Sequence, residues 1–425
     1  MTSTTPAGRV TDHDRTRLSV HVGEARTEGV RPAPSRRWGR WDPRRLPGWA
    51  QALLLLAASR VLTSFVAHRS ADLATPHAGG RHWGYWEIAN NWDGTWYERA
   101  GVQGYPATLP IDSATGLVAP STWAFYPLYP GTVRLLQTLT GLSWVVAATI
   151  VSVTAAGGAV VVVRALLARV AGPRAALWAV AFLVFWPSAA VLQLPYSESL
   201  ALLVLAGALW CLQRRRYLAL VPVLLLLGVA RPVAVPMGVV LVAHALRCGL
   251  EVRGLPRGEA ARRLAGPAAA LVAGAVAAVE WPAAAWWRTG VPDAYTLTMA
   301  AWRTPPQIVP VRPWIGASQL YLGEHVGPVA LVAVLGALAG WLVRRGVAVI
   351  GPDLTVWCAA YSAYLLAVLD SFTSLPRYLL PLFPLGALLA RASPSRAFRV
   401  AVTVALAAMG VVWMLAVWRS RIWAP

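Results

Sequence analysis

Two kinds of side chain in this chain can do chemistry together. The first is a shielded carboxylate. Asp93 lies in Asn91-Trp92-Asp93-Gly94-Thr95-Trp96-Tyr97, with Trp92, Trp96 and Tyr97 around it. A carboxylate kept from water by aromatic neighbours is a stronger base than a solvated one. The same aromatic faces stack well on the C–H surfaces of sugars. The second is an arginine at the edge of an apolar run. Guanidinium forks hold a phosphate through paired hydrogen bonds. Arg231, in Ala230-Arg231-Pro232, and Arg377, in Ser374-Leu375-Pro376-Arg377-Tyr378, are placed to hold an anionic headgroup. Arg60, in the outer part of the first apolar run, is a weaker third candidate. Glu198 in Pro195-Tyr196-Ser197-Glu198 and Asp370 complete the charged set. Each has a plainer reading. Asp93-Gly94 favours a turn or a helix start, Glu198 suits a helix N-terminus, and an arginine can snorkel to lipid phosphates.

Composition decides what must position these groups. The 425 residues are 57% hydrophobic and 13% charged, against about a quarter charged in soluble proteins. The expected class is therefore an all-α polytopic membrane protein. The net charge is +20, and every basic residue is arginine. That usage, with much Ala, Gly, Val and Pro, reads as GC-rich coding and a bacterial source. The arginines are dispersed in short loops, so they argue for membrane orientation and against nucleic-acid binding. Cys211, Cys248 and Cys358 show neither CxxC nor metal-ligand spacing. His82, His244 and His325 are isolated, so no metal site is expected. No glycine-rich nucleotide loop is present, and no cofactor is expected. Several of the 22 tryptophans lie near the ends of apolar runs, as interfacial anchors do.

Arginine bookkeeping sets the topology. Residues 1–46 read as a disordered cytoplasmic tail, not as a cleaved signal peptide. Arg36, Arg37, Arg40, Arg44 and Arg45 precede the first span, 48–66, and should stay inside. Segment 123–141 holds Pro127, Pro130, Arg134 and Gln137 and reads as interfacial. Spans are then expected at 143–163, 175–194, 200–212, 217–230, 233–246, 264–286, 327–343, 354–369, 378–390 and 400–418. With the first, that makes eleven, in one membrane domain over 47–425. The 217–246 pair is short enough to be a re-entrant hairpin. Outer loops cover 68–142 and 288–326, and the run from Trp302 to Trp314 reads as a cover over a cavity or a plain connector. This parity puts Asp93, Glu198, Arg231, Asp370 and Arg377 on one extracytoplasmic face of the cell membrane.

The motifs then line up in order. Trp92-Asp93-Gly94 with Tyr97, Gly104-Tyr105, and Ala124-Phe125-Tyr126-Pro127-Leu128-Tyr129-Pro130 precede Pro195-Tyr196-Ser197-Glu198-Ser199-Leu200 and the isolated Arg231. The series resembles the PIG-V (GPI mannosyltransferase II) family of GT-C membrane glycosyltransferases over residues 83–232. The family pattern continues after this arginine with a Ser-Asn-Gly-like sequence, and here Pro232-Val233-Ala234 stands there. The resemblance implies a GT-C-like fold with a catalytic first outer loop and Asp93 as general base. It implies inverting transfer of mannose, or another hexose, from a polyprenyl-phosphate donor. Trp92, Tyr97, Tyr126, Tyr129, Glu198, Arg231 and Arg377 are the expected substrate contacts. The acceptor is a glycolipid, a lipoglycan or a protein. A lipid-linked sugar flippase and a non-catalytic envelope scaffold are the rival readings. A flippase calls for midplane charges and internal repeats, whereas here the charges gather at one face.

Overall fold

The computed structural model of the protein describes residues 46–73, 83–303, 307–369 and 374–420. The expected tail (all but Leu46), His82, Thr304 to Pro306 and Asp370 lie outside them. Among the described residues the regular secondary structure is helical, apart from one isolated bridge between Ile111 and Val118. In chain order the helices begin with α1 (Gly48–Leu73), α2 (Tyr85–Ala89), α3 (Asp93–Val102), α4 (Leu128–Thr140), α5 (Trp144–Ala171) and α6 (Pro173–Val184). They continue with α7 (Glu198–Gln213), α8 (Tyr217–Gly228), α9 (Ala234–Glu251), α10 (Arg257–Thr289), α11 (Ala294–Ala300) and α12 (Arg312–Leu322). The last are α13 (Val326–Trp341), α14 (Val347–Val368), α15 (Leu375–Tyr378), α16 (Pro384–Ala392) and α17 (Arg396–Ser420).

Six helical segments are long and apolar enough to cross a membrane: α1, α5, α9, α10, the α13–α14 run and α17. The chain is thus built as a multi-pass membrane protein. The α13–α14 run covers 43 residues, about 65 Å if straight. Gly351 breaks it, with φ +79, just before Pro352. Helix α5 is the centre of the bundle. Its Ala148, Ser152, Ala155, Ala156 and Ala159 are buried, and such small side chains let neighbouring backbones approach closely. Helix α7 packs along it, and α1, α6 and α4 surround the rest.

Four of the eleven expected spans fall on short helices. Helices α6, α7, α8 and α16 have 12, 16, 12 and 9 residues, roughly 14–24 Å each and short of a ~30 Å hydrocarbon core. Helix α6 stops at Val184, and an irregular stretch with a single 3-10 turn (Ala189–Leu192) leads to Glu198. Helix α8 stops at Gly228, five residues before α9, and Arg231 lies in that break. Arg377 lies on the four-residue α15, between α14 and α16. Non-helical backbone inside an apolar bundle is tolerated where protein satisfies it or a cavity needs it. The short helices are how charged residues enter the bundle. Helix α1 runs on to Leu73 and α10 to Thr289, past the ends expected for those spans.

Segment 123–141 holds α4, a 13-residue helix ended by Gly141 at φ +72. At about 20 Å it is too short to span. Tyr129, Pro130 and Val133 form its buried face, while Leu135 and Leu139 are exposed. Arg60 is not directed at an anion. It is buried in α1, and its guanidinium donates to the carbonyls of Ala189 at 2.8 Å and Val184 at 3.5 Å. It caps the end of α6, whose last carbonyls lack helical partners. A second buried polar group ties α8, α9 and α14 together. The Tyr217 hydroxyl meets His244 Nε2 at 2.9 Å, His244 Nδ1 meets Asp353 at 3.1 Å, and Arg247 pairs with the same carboxylate.

Candidate active site

Asp93 opens α3 from a strained turn. Trp92 before it has φ +58 and ψ −120, a region that costs a non-glycine residue about 1–3 kcal/mol. The Gly94 N–H donates to Asn91 O at 3.2 Å. The Asp93 side chain does not cap this helix. Arg377 Nη1 donates to Asp93 Oδ2 at 2.5 Å. Thus the turn exists, as the Asp-Gly pair predicts, but the carboxylate is spent elsewhere.

Arg377 is the second member of a row of four charges. Its Nε lies 3.3 Å from Glu198 Oε1, which lies 2.5 Å from Arg231 Nη1. The signs alternate through Asp93, Arg377, Glu198 and Arg231, so the row is neutral as a whole. The Glu198 oxygens and Arg377 Nε form no aligned hydrogen bond despite these approaches. Exposure differs along the row. The Arg377 and Glu198 side chains are 4% and 5% exposed, Arg231 15% and Asp93 25%. The carboxylate is the most accessible member. Burial would pull the Arg377 guanidinium down, but Asp93 and Glu198 outweigh it and hold its pKa well above the ordinary value.

Backbone anchors hold the row in place. The Trp186 indole donates to Pro376 O at 2.7 Å, the Tyr361 hydroxyl to Tyr378 O at 2.9 Å, and the Trp357 indole to Pro381 O at 2.8 Å. These three bonds fix the segment that carries Arg377. Leu128 N–H donates to Val229 O at 3.0 Å. The Phe125-to-Pro130 run therefore braces the break that carries Arg231. Tyr105 of the Gly104-Tyr105 turn donates to Phe125 O at 2.9 Å. Tyr378 lies under both arginines, at 5.5 Å from Arg231 and 5.4 Å from Arg377, a favourable cation–π arrangement. Beside the row is a cavity of about 20 Å³, lined by Glu198, Arg231, Tyr361, Arg377, Tyr378 and Leu380 among others. It has room for about one water.

The expected aromatic contacts divide. Tyr97 is buried, and its hydroxyl meets Ser197 Oγ at 2.5 Å. Burial pushes its pKa up, so it serves as a neutral strut joining α3 to the start of α7. Tyr126 is buried against Tyr295, with the hydroxyls 3.0 Å apart. Tyr129 is fully buried, and its hydroxyl donates to Ala148 O at 3.1 Å and meets Ser152 Oγ at 2.8 Å. In the structure both the ring and the hydroxyl of Tyr129, expected as a substrate contact, are engaged in packing against α5. Trp92 is half-buried, directly beside Asp93.

The run from Trp302 was expected as a cover or a connector; which rings it meets, and the part played by Tyr295, were not legible in the sequence. Tyr295 on α11 reaches Tyr126, and Trp302 sets its edge against Trp96 at 4.9 Å and Phe125 at 5.7 Å. The segment after α10 thus lies on the segment that carries Trp96 and Phe125. Tyr361, which lines the small cavity, and Tyr364 sit three residues apart on α14. The concentration of aromatic residues outside the spans was the available signal. It does not say which rings meet. Among the described residues, no group of three His, Cys, Asp or Glu side chains is arranged to hold a metal ion.

No protein-family model matches the chain, and no curated protein matches it. Among solved structures, two crystal structures of ArnT from Cupriavidus metallidurans are similar. The one bound to undecaprenyl phosphate shares 17% identity at a TM-score of 0.48, and the apo one 15% at 0.45. Each match covers 88% of this chain and 76% of ArnT. Overlap this loose assigns neither fold nor function.

Proposed function

We propose that this protein is a membrane glycosyltransferase of the GT-C type. It transfers a sugar, with inversion, from a polyprenyl-phosphate carrier to an acceptor hydroxyl outside the cytoplasm. The observation that carries the reading is the Asp93–Arg377–Glu198–Arg231 row. It puts one accessible carboxylate beside two guanidiniums at the break points of an apolar bundle. A lipid-linked sugar phosphate needs that layout: a lipid phase for the tail, cations for the phosphate, and a base near the anomeric carbon.

The chemistry follows from the pairing. An incoming phosphate competes with Asp93 for Arg377 and frees the carboxylate. Asp93 then accepts the acceptor's hydroxyl proton as the oxygen attacks the anomeric carbon from the face opposite the phosphate. The bond from that carbon to the phosphate oxygen breaks, and the phosphate leaves with its electron pair. Arg231 and Arg377 neutralise the added charge. Glu198 keeps the two guanidiniums apart and charged. The motif series of residues 83–232 supports mannose as the sugar, and the acceptor is a glycolipid, a lipoglycan or a protein. The arginine distribution supports a cytoplasmic N-terminus and an outer active site in the cell membrane.

The test is Asp93→Asn in membranes supplied with labelled polyprenyl-phosphate mannose. A loss of transfer by about 10²–10⁴-fold is expected for a missing general base. Full transfer by the variant overturns the mechanism. Translocation of the sugar-lipid without any transfer by the wild-type protein points to a flippase instead.

A further inference from the structure

Next to Asp93 is a cluster of neutral polar atoms that the mechanism above does not use. Asn90 Oδ1, Asn91 Nδ2 and Trp92 Nε1 are buried, and none has a hydrogen-bond partner in the protein. Their chemical identities are fixed by the bonds that the same residues do make. Asn90 Nδ2 donates to Glu98 Oε2 at 2.6 Å, which leaves the amide oxygen as the spare acceptor. Asn91 Oδ1 accepts from the Trp92 N–H at 2.9 Å, which leaves the amide NH₂ as a spare donor. The Trp92 indole is a donor by nature.

Such atoms are costly. A buried polar group without a partner loses about 1–3 kcal/mol, and three in succession call for an explanation. The backbone here is also strained, at Trp92, and held rather than relaxed. The Tyr196 hydroxyl donates to Asn91 O at 3.2 Å, and Asn90 Oδ1 lies against Gly94. Gly94 has no side chain to cover that oxygen. Strain and unmet polar atoms cluster where a ligand supplies the missing partners.

We propose that Asn90, Asn91 and Trp92 form the subsite that binds the hydroxyls of the transferred sugar and selects among hexoses. The inference rests on the glycosyl-transfer reading above. One acceptor and two neutral donors suit a polyol, whose hydroxyls both donate and accept. They do not suit a phosphate, which accepts only and is served by Arg231 and Arg377. The position is also apt, since all three residues lie within three positions of the proposed base.

Trp92→Phe separates this role from a structural one; Asn91→Ala, which also removes the Asn91 Oδ1 acceptor of the Trp92 N–H, is its companion. Removing an unsatisfied buried atom does not cost the fold a hydrogen bond, so Trp92→Phe is expected to melt within a few degrees of wild type. Both variants are assayed in nanodiscs with polyprenyl-phosphate mannose, glucose and galactose. The expected result is a 10- to 100-fold fall in kcat/KM for the preferred sugar and a flattened ratio among the three. Binding of sugar-free polyprenyl phosphate should stay at the wild-type level. Unchanged kcat/KM and an unchanged sugar ratio overturn the subsite, as does an equal loss of polyprenyl-phosphate binding. Absence of transfer by the wild-type protein defeats the broader reading instead, so the two failures are told apart.

Discussion

Arg377 and Asp93 are 284 positions apart in the chain and meet at 2.5 Å. In the proposed mechanism one holds the donor phosphate and the other takes the acceptor's proton. In the substrate-free protein each satisfies the other. Under the proposed mechanism the pair is a lock that a donor phosphate opens, which couples base activation to donor binding. Carbodiimide labelling tests this. Asp93 should react slowly in the free protein and faster once sugar-free polyprenyl phosphate is added. Slower labelling on addition would contradict the coupling.

Arg377→Ala leaves Asp93 and Glu198 without their shared cation. Breaking a buried pair on one side costs about 3–5 kcal/mol, so the variant should unfold at clearly lower temperature. Arg377→Lys keeps the charge but loses the planar fork. It should fold better than the alanine variant and still bind polyprenyl phosphate less tightly than wild type. Thermal melts and a lipid-binding assay read the two effects separately.

Glu198 and Arg231 should be strongly coupled. Glu198→Gln and Arg231→Met each strand a charge in the row, while the double variant strands less. The double variant is expected to be more stable than the sum of the single losses predicts, by about 0.5–3 kcal/mol. Simple additivity in the melts would show that the 2.5 Å approach carries no net energy.

Tyr129→Phe removes a hydroxyl that Ala148 and Ser152 engage. A cost of about 1 kcal/mol to stability is expected, with donor KM unchanged because Tyr129 packs rather than binds. A large rise in donor KM would return Tyr129 to the binding surface.

Orientation has its own test. Ser113→Cys lies on an exposed turn of the first outer segment, and Gly258→Cys lies at the start of α10 among the arginines expected inside. Cys211, Cys248 and Cys358 are buried, so they give little background. An impermeant maleimide added to intact cells should label residue 113 and spare residue 258. The opposite pattern would put Asp93 in the cytoplasm.

Sequence alone determined what depends on composition and local pattern. Long apolar runs must be helices, since lipid offers the backbone no partners. They emerged as expected at α1, α5, α9, α10 and α17. The four charged residues were visible too: Glu198, Arg231 and Arg377 lie at the edges of apolar stretches where charge is costly, and Asp93 stands among aromatic residues. Their meeting was not visible. It depends on where α6, α8 and α14 stop, and helix ends are set by packing and capping rather than by hydropathy. The fate of each tyrosine was equally hidden: Tyr129 and Tyr126 are three residues apart, yet one faces α5 and the other α11. Tertiary structure decided that Arg60 caps α6, that Trp302 covers Trp96, and that Asp93 answers to Arg377. Each is a contact between residues distant in sequence, and only the packed bundle selects it.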